Sequence, residues 1–218
     1  MKGLKTEHRA VSLMLFCGVV IYSLLYAVWA FLPVFGQQAE PAYSTENTTE
    51  FAGGDGTERN PYRVSTPEQL DNVRNYLNAY FIQTQDIDMT AATAEGGAFY
   101  NEGAGWEPIG TKEQTSFSGN YDGGNYRIIG LKCDQSDSGT AYAGLFGYNS
   151  GVIQNLGIDV GAVSSYYSYA GGIAGYNRGS VINCYNTGTI SAEDYAGGIT
   201  GYNSGSITNC YNTVQYLL

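Results

Sequence analysis

Three stretches of this chain can be laid over one another without a gap. Gly144-Leu145-Phe146-Gly147-Tyr148-Asn149-Ser150-Gly151 corresponds to Gly172-Ile173-Ala174-Gly175-Tyr176-Asn177-Arg178-Gly179, and again to Gly198-Ile199-Thr200-Gly201-Tyr202-Asn203-Ser204-Gly205. Downstream, Ile153, Asn155 and Leu156 match Val181, Asn183 and Cys184, then Ile207, Asn209 and Cys210. A unit of this length, with short β-branched runs between Gly and Asn, cannot bury its apolar face alone and must stack on its neighbour, as the coil of a solenoid does. Helical repeats need a 3.6-residue period and few glycines, and a propeller blade needs about 40 residues, so both are excluded. The fold class expected is all-β: a parallel β-helix with a short N-terminal capping helix, preceded by one transmembrane or signal helix.

Within a coil, the inward candidates 153/181/207 and 156/184/210 are three apart. An odd spacing cannot keep one face of a flat strand, so a corner is expected between them. Asn155, Asn183 and Asn209 occupy that corner; Asn tolerates the left-handed conformation, and stacked amides can bond along the axis. Tyr148, Tyr176 and Tyr202 should form a ladder. Cys184 and Cys210 are repeat-equivalent. Parallel in-register side chains point the same way, which favours a buried reduced pair over a disulfide, with Cys133 unpaired and Cys17 in the apolar segment.

Upstream, Ser65-Thr66-Pro67-Glu68-Gln69 is a helix start, with a capping hydroxyl, Pro at the first helical position and Gln three residues after Thr66. Leu70, Val73, Tyr76 and Leu77 lie at the spacing of one helical face, so a helix of about three turns is expected, ending near Asn78. Tyr80 to Met89 reads as one strand with Phe81, Ile87 and Met89 on one side and Asp86 and Asp88 exposed.

The first half of the protein divides differently. Ala10 to Phe35 is an uncharged apolar run of 26 residues, about 39 Å as a helix and long enough to cross a bilayer. Lys2, Lys5 and Arg9 precede it and Glu40, Glu46 and Glu50 follow, so the positive flank should stay inside and the rest be exported. Val28-Trp29-Ala30 also offers a cleavage site, which leaves anchor and cleaved signal both open. Gln37 to Gly56 is polar and acidic and reads as a tether. The domains expected are thus 1–36 anchor, 37–56 linker, 57–140 cap helix and first coils, and 141–218 repeats.

Charge and histidine usage exclude several chemistries. Twenty acidic against ten basic residues give a net charge of −10, which opposes nucleic-acid binding. The single histidine is His8, ahead of the apolar run, so the exported part has no imidazole for a nucleophilic triad or a histidine metal site. No cofactor or metal site is called for. Asp159, Arg178, Glu193 and Asp194 are the few charges among the repeats, and none recurs with the period. Glu193 and Asp194 read as loop decoration, the alternative being a carboxylate pair of a polysaccharide-cleaving enzyme. Tyr142, Tyr166, Tyr167, Tyr169, Tyr185, Tyr195 and Tyr211 could present an aromatic surface to sugars or proteins, or simply pack as good strand residues.

The tetrapeptides Gly144-Leu145-Phe146-Gly147, Gly172-Ile173-Ala174-Gly175 and Gly198-Ile199-Thr200-Gly201 resemble the GLUG motif of bacterial surface and secreted proteins. Gly53 to Tyr62, Ser65 to Leu70, Gly105 to Gly110 and Phe117 to Asn125 look like the stretch that commonly precedes such repeats. The resemblance covers roughly residues 53 to 213 and implies a β-helix-like architecture at a cell surface, at times attached to adhesion or immunoglobulin-cleaving proteins. It transfers no catalytic residue, since its motif positions are glycines and aliphatics. The functional expectation is a non-catalytic adhesion or display module, membrane-anchored with an extracellular C-terminal part, or secreted if the segment is cleaved. Its partners would be the membrane, through the N-terminal helix, and a host or cell-wall glycan or protein, with Tyr148, Tyr176 and Tyr202 facing the ligand. The alternatives are a carbohydrate-active β-helix enzyme and a spacer piece of a larger adhesin or protease. The third repeat reaches Leu218 without an obvious polar cap, so its last edge is expected to end a truncated chain or to meet a partner.

Overall fold

A computed structural model describes residues 50–136, 141–159, 161–166 and 169–213. The apolar run Ala10 to Phe35, its cleavage site, His8, Cys17, Tyr167 and the tether up to residue 49 lie outside the described residues. Among those described, no helix is long and apolar enough to cross a membrane.

The repeats fold as the odd spacing requires. Three complete coils each contribute five short strands. The first holds β4 (Asn120–Asp122), β5 (Arg127–Ile129), β6 (Lys132–Asp134), β7 (Tyr142–Ala143) and β8 (Phe146–Asn149). The second holds β9 (Val152–Gln154), β10 (Gly157–Asp159), β11 (Ala162–Ser165), β12 (Tyr169–Gly171) and β13 (Ala174–Asn177). The third holds β14 (Ser180–Ile182), β15 (Tyr185–Asn186), β16 (Thr189–Ala192), β17 (Tyr195–Gly197) and β18 (Thr200–Asn203). A fourth begins with β19 (Ser206–Thr208) and β20 (Tyr211–Asn212). Before them come β1 (Tyr62–Val64), α1 (Pro67–Asn72), β2 (Tyr80–Gln83) and β3 (Ile87–Asp88).

Equivalent strands pair in parallel down five sheets, the longest running β1-β2-β4-β9-β14-β19. Ile153 pairs with Val181 and Val181 with Ile207, which puts the like residues in one column. Val64, Phe81, Tyr121, Ile153 and Val181 in that sheet are all within 1% of complete burial. At about 1.5–3 kcal/mol for each fully buried large aliphatic or aromatic side chain, this column is a principal stabiliser of the stack. Asn155, Asn183 and Asn209 share φ 53°, the left-handed corner expected of them.

Two local expectations are corrected. The helix is one and a half turns of α1 followed by a 3₁₀ turn at Val73–Asn75, instead of three turns. Leu70 and Val73 are fully buried as foreseen, but the chain must leave the helix at Tyr76 to enter β2 at Tyr80. Thr66 Oγ1 accepts from the Gln69 amide at 3.3 Å, while the Gln69 side chain caps Ser65, one residue earlier than a standard box would. Likewise Tyr80 to Met89 is two strands, not one. Phe81 and Gln83 point inward on β2 and Ile87 and Met89 on the next face, with the corner between them. The folded part also begins ahead of Gly56: Phe51 is buried and stacks on Tyr62 at 4.3 Å.

Between β3 and β4 the chain makes an excursion in place of three strands. Trp106 and Ile109 are fully buried there, and its backbone bridges to Cys133, Phe146 and Asn149 of the first complete coil.

Candidate functional site

The outer surface of the repeats carries two interlocked columns of tyrosine. β7, β12 and β17 align Tyr142, Tyr169 and Tyr195, while β8, β13 and β18 align Tyr148, Tyr176 and Tyr202. Ring centroids within the second column are 4.5 and 4.9 Å apart and nearly parallel. In the first they are 5.8 and 4.9 Å apart. Across the columns the rings meet edge to face, as Tyr142 does with Tyr148 at 5.6 Å and 90°. Each such pair contributes about 0.5–1.5 kcal/mol beyond its buried area.

The expected ladder is therefore present, but its three members are not equivalent. Tyr148 is 5% exposed, enclosed by Tyr142 and Tyr176, so it offers no ligand-facing surface. Tyr176 is half-buried, and Tyr202 is 41% exposed. Stacking also consumes the ring faces. The well exposed rings of the ridge, Tyr195 and Tyr202, belong to the third coil. Burial raises the hydroxyl pKa of Tyr142 and Tyr148, so both remain neutral donors well above ordinary pH.

The motif glycines are spacers of the coil. A Cβ on Gly175 would lie 2.9 Å from the Ala143 nitrogen and from Tyr142 Cα, both backbone atoms of the preceding coil. One on Gly172 would lie 2.7 Å from Cγ of Asn186, an inward side chain arriving from the opposite face. Leu145 and Ile173 between the glycines are fully buried, and Ile199 is half-buried. Gly144, Gly147, Gly198 and Gly201 meet backbone or the equivalent Asn212 in the same way. These positions shape the stack and carry no chemistry of their own.

Two inward asparagine columns were not singled out in the sequence. Asn149 donates to Asn177 Oδ1 and Asn177 to Asn203 Oδ1, each at 2.7 Å, and Asn186 donates to Asn212 at 2.8 Å. Their signal was the Tyr-Asn pair that recurs at both 148/176/202 and 185/211.

The charged candidates scatter. Glu193 and Asp194 are exposed beside β16, and Arg178 pairs with Glu113 at 2.8 Å. Asp159 shares Arg127 with Asp86, at 2.9 and 2.7 Å, in an ion ladder along the axis. Carboxylates and a guanidinium do meet elsewhere, in a cleft of about 380 Å³ lined by Asp71, Arg74, Phe99 and Glu107. Arg74 bonds Asp71 at 2.7 Å, lies 3.8 Å from a Glu107 oxygen and sits over the Trp106 ring. Cys133, Cys184 and Cys210 are free thiols. The Cys184 amide donates to Cys210 Sγ at 3.4 Å; both are free as expected, but only Cys184 is buried and Cys210 is half-exposed.

Residues 166–191 and 193–215 match the family model described as the GLUG motif. The last coils are GLUG repeats. The register of β8 with β13 extends the same geometry to Gly144–Gly147, which lies ahead of the matched span. This chain is similar to a candidate Gly-rich membrane protein of Evansella cellulosilytica, 39% identical over 143 residues. It is also similar to the halomucin of Haloquadratum walsbyi, 31% identical over 152 residues. These matches take 63% and 69% of this chain but 16% and 2% of the relatives, so the chain spans a small part of their length. Among solved structures, a candidate immunoglobulin A1 protease of Bacteroides ovatus aligns with a TM-score of 0.51 at 23% identity, over 75% of this chain and 60% of the other. That likeness shows the β-solenoid fold.

Proposed function

We propose that the GLUG solenoid is a non-catalytic display and adhesion module held at the cell surface. The observation that carries this reading is the tyrosine ridge, a rigid row of hydroxyls repeating at the coil spacing, which suits an extended polar partner such as a glycan or an extracellular polypeptide. The Ala10 to Phe35 segment would supply the membrane attachment, with the basic flank inside and the solenoid outside. The relative named as a membrane protein supports that placement. The test is a binding screen of the intact chain against glycans and extracellular-matrix proteins. Saturable binding without turnover supports the reading, and release of shortened product from any bound polymer contradicts it.

A second reading has one observation in its favour. Asp71, Arg74 and Glu107 line one cleft, the combination of carboxylate and guanidinium that polysaccharide cleavage uses, whereas Glu193 and Asp194 lie exposed beside β16. Turnover of an acidic polysaccharide that is lost in Asp71→Asn or Glu107→Gln would establish it.

A further inference from the structure

Outside the ridge, polar and aromatic side chains converge in the cleft between the excursion after β3 and α1 with its 3₁₀ turn. Asp71 and Arg74 come from the helical side, and Phe99, Asn101 and Glu107 from the excursion. Trp106 anchors both. It is fully buried and its Nε1 donates to the Leu145 carbonyl at 3.0 Å. The Arg74 guanidinium lies over its ring at 5.2 Å, and Phe99 meets it edge to face at 5.7 Å. The excursion is held just as firmly. Asn101 and Glu102 keep left-handed φ angles of 45° and 52°, while the amides of Gly103 and Gly105 both donate to the Tyr100 carbonyl, at 2.9 and 3.0 Å. Such conformations persist only where the surroundings enforce them, and they recur at ligand clamps.

The guanidinium is aimed but not used up. Nε donates to Asp71 Oδ1 at 2.8 Å; Nη2 lies 2.7 Å from the same oxygen and donates to the Glu107 carbonyl at 2.9 Å. Nη1 has no hydrogen-bond partner among the described residues and stands 3.8 Å from Glu107 Oε2, too far for a bond. An oxygen about 2.8 Å from each would close that gap, accepting from Nη1 and donating to Glu107. A hydroxyl does both, as a bridging water does, so it displaces water without losing a bond. An anion there would meet the Asp71 and Glu107 carboxylates, and an ammonium would meet Arg74. Beside the gap, the half-buried Phe99 ring offers apolar surface, and the exposed Asn101 amide a further donor and acceptor. Neighbouring hydroxyls on a ring with an apolar face match this set. The volume agrees: about 150 Å³ holds one benzene ring, so the cleft's 380 Å³ takes roughly two six-membered rings.

We infer that the cleft at Arg74 is a binding site for a neutral, disaccharide-sized stretch of a glycan. Arg74 Nη1 and Glu107 hold one hydroxyl between them, and Phe99 packs on the apolar face of a sugar ring. Asp71 is a positioning residue: both of its contacts with Arg74 fall on one oxygen and set the direction of the guanidinium. The cleft and the tyrosine ridge share no residue, so this site adds to the ridge and is tested separately from it.

Saturation-transfer NMR on the intact chain, in a detergent without a sugar headgroup, tests this with maltose, cellobiose, lactose and a mannose disaccharide as neutral probes. At least one is expected to bind with a Kd on the order of 1 mM or tighter, and its uronic-acid counterpart at least about tenfold more weakly. Glu107→Ala, at a side chain 64% exposed, should weaken binding at least about tenfold with unchanged melting. Ala98→Trp, which fills the cleft from an exposed position, should abolish it. Tyr176→Phe with Tyr202→Phe should leave it unchanged. No binding of any probe, equal affinity for the uronic-acid counterpart, or binding that survives Glu107→Ala or Ala98→Trp would each overturn the inference and leave the ridge reading standing. Loss in the tyrosine variant would overturn it by placing the sugar on the ridge, and release of monosaccharide from a probe by turning the cleft to the second reading.

Discussion

Asn149 donates its side-chain amide to Oδ1 of Asn177 at 2.7 Å, and both side chains are completely buried inside the coils. Asn149 Oδ1 also accepts from the Gly151 amide, so each rung ties the turn of its own coil to the next coil. Replacing Asn177 by Ala removes the acceptor for Asn149 and leaves a buried amide hydrogen unpaired, which costs about 1–3 kcal/mol. Chemical denaturation should show that loss for Asn177→Ala. It should show less for Asn203→Ala, because the Asn177 amide released there also donates to the Ser206 carbonyl at 3.3 Å and Asn203 itself is exposed.

Gly175→Ala should destabilise the solenoid by about 1–3 kcal/mol, because the new methyl meets backbone of the preceding coil and no flexible side chain can yield. Thermal melting compared with Gly96→Ala is the check. A Cβ at Gly96 meets nothing within 4 Å, although its φ of 83° adds a strain cost of its own. Gly175→Ala should fall further than that control.

The thiols should divide by position. Burial pushes Cys133 and Cys184 up to about 12, so neither supplies thiolate at pH 8 in the folded state. Cys210 is half-exposed. Brief alkylation followed by peptide mapping should modify Cys210 and spare the other two until denaturant is added.

The ion ladder gives a pH signature. The Arg127 side chain, hydrogen-bonded to Asp86, holds that carboxyl below its ordinary value. A folded-state pKa below the unfolded one gives stability that is present above about pH 4 and is lost as pH falls through the folded value. The difference in melting temperature between wild type and Arg127→Gln should be constant above about pH 5 and close as the medium becomes more acid.

How much of this was legible depended on whether a feature is local or needs the coil closed. The left-handed corners at Asn155, Asn183 and Asn209 follow from residue type and odd spacing, and the cap at Thr66 from its neighbours. The column Ile153, Val181 and Ile207 follows from the repeat. The five-strand cross-section does not, because strands of two to four residues are too short to show a period. The first complete coil hid for another reason: Asn120 pairs with Val152, a step of 32 residues against 28 and 26 later, so its repeat is out of phase in sequence. Phe51 stands alone among polar residues, and nothing local marks it as buried. At the site, the tyrosines were visible one by one. Their interlocking was not, since it places residues of different strands edge to face across a corner. Nor was the burial of Tyr148, which depends on Tyr142 six residues earlier.

The functional account rests on hydroxyls along the ridge. It is tested most directly by the affinity of the intact chain for whichever glycan or matrix protein it binds, measured for wild type and for Tyr176→Phe with Tyr202→Phe. Phenylalanine keeps the stack and removes the hydroxyls, so affinity should fall at least about tenfold, roughly 1.4 kcal/mol, with unchanged melting. Undiminished binding by the double variant would contradict the account.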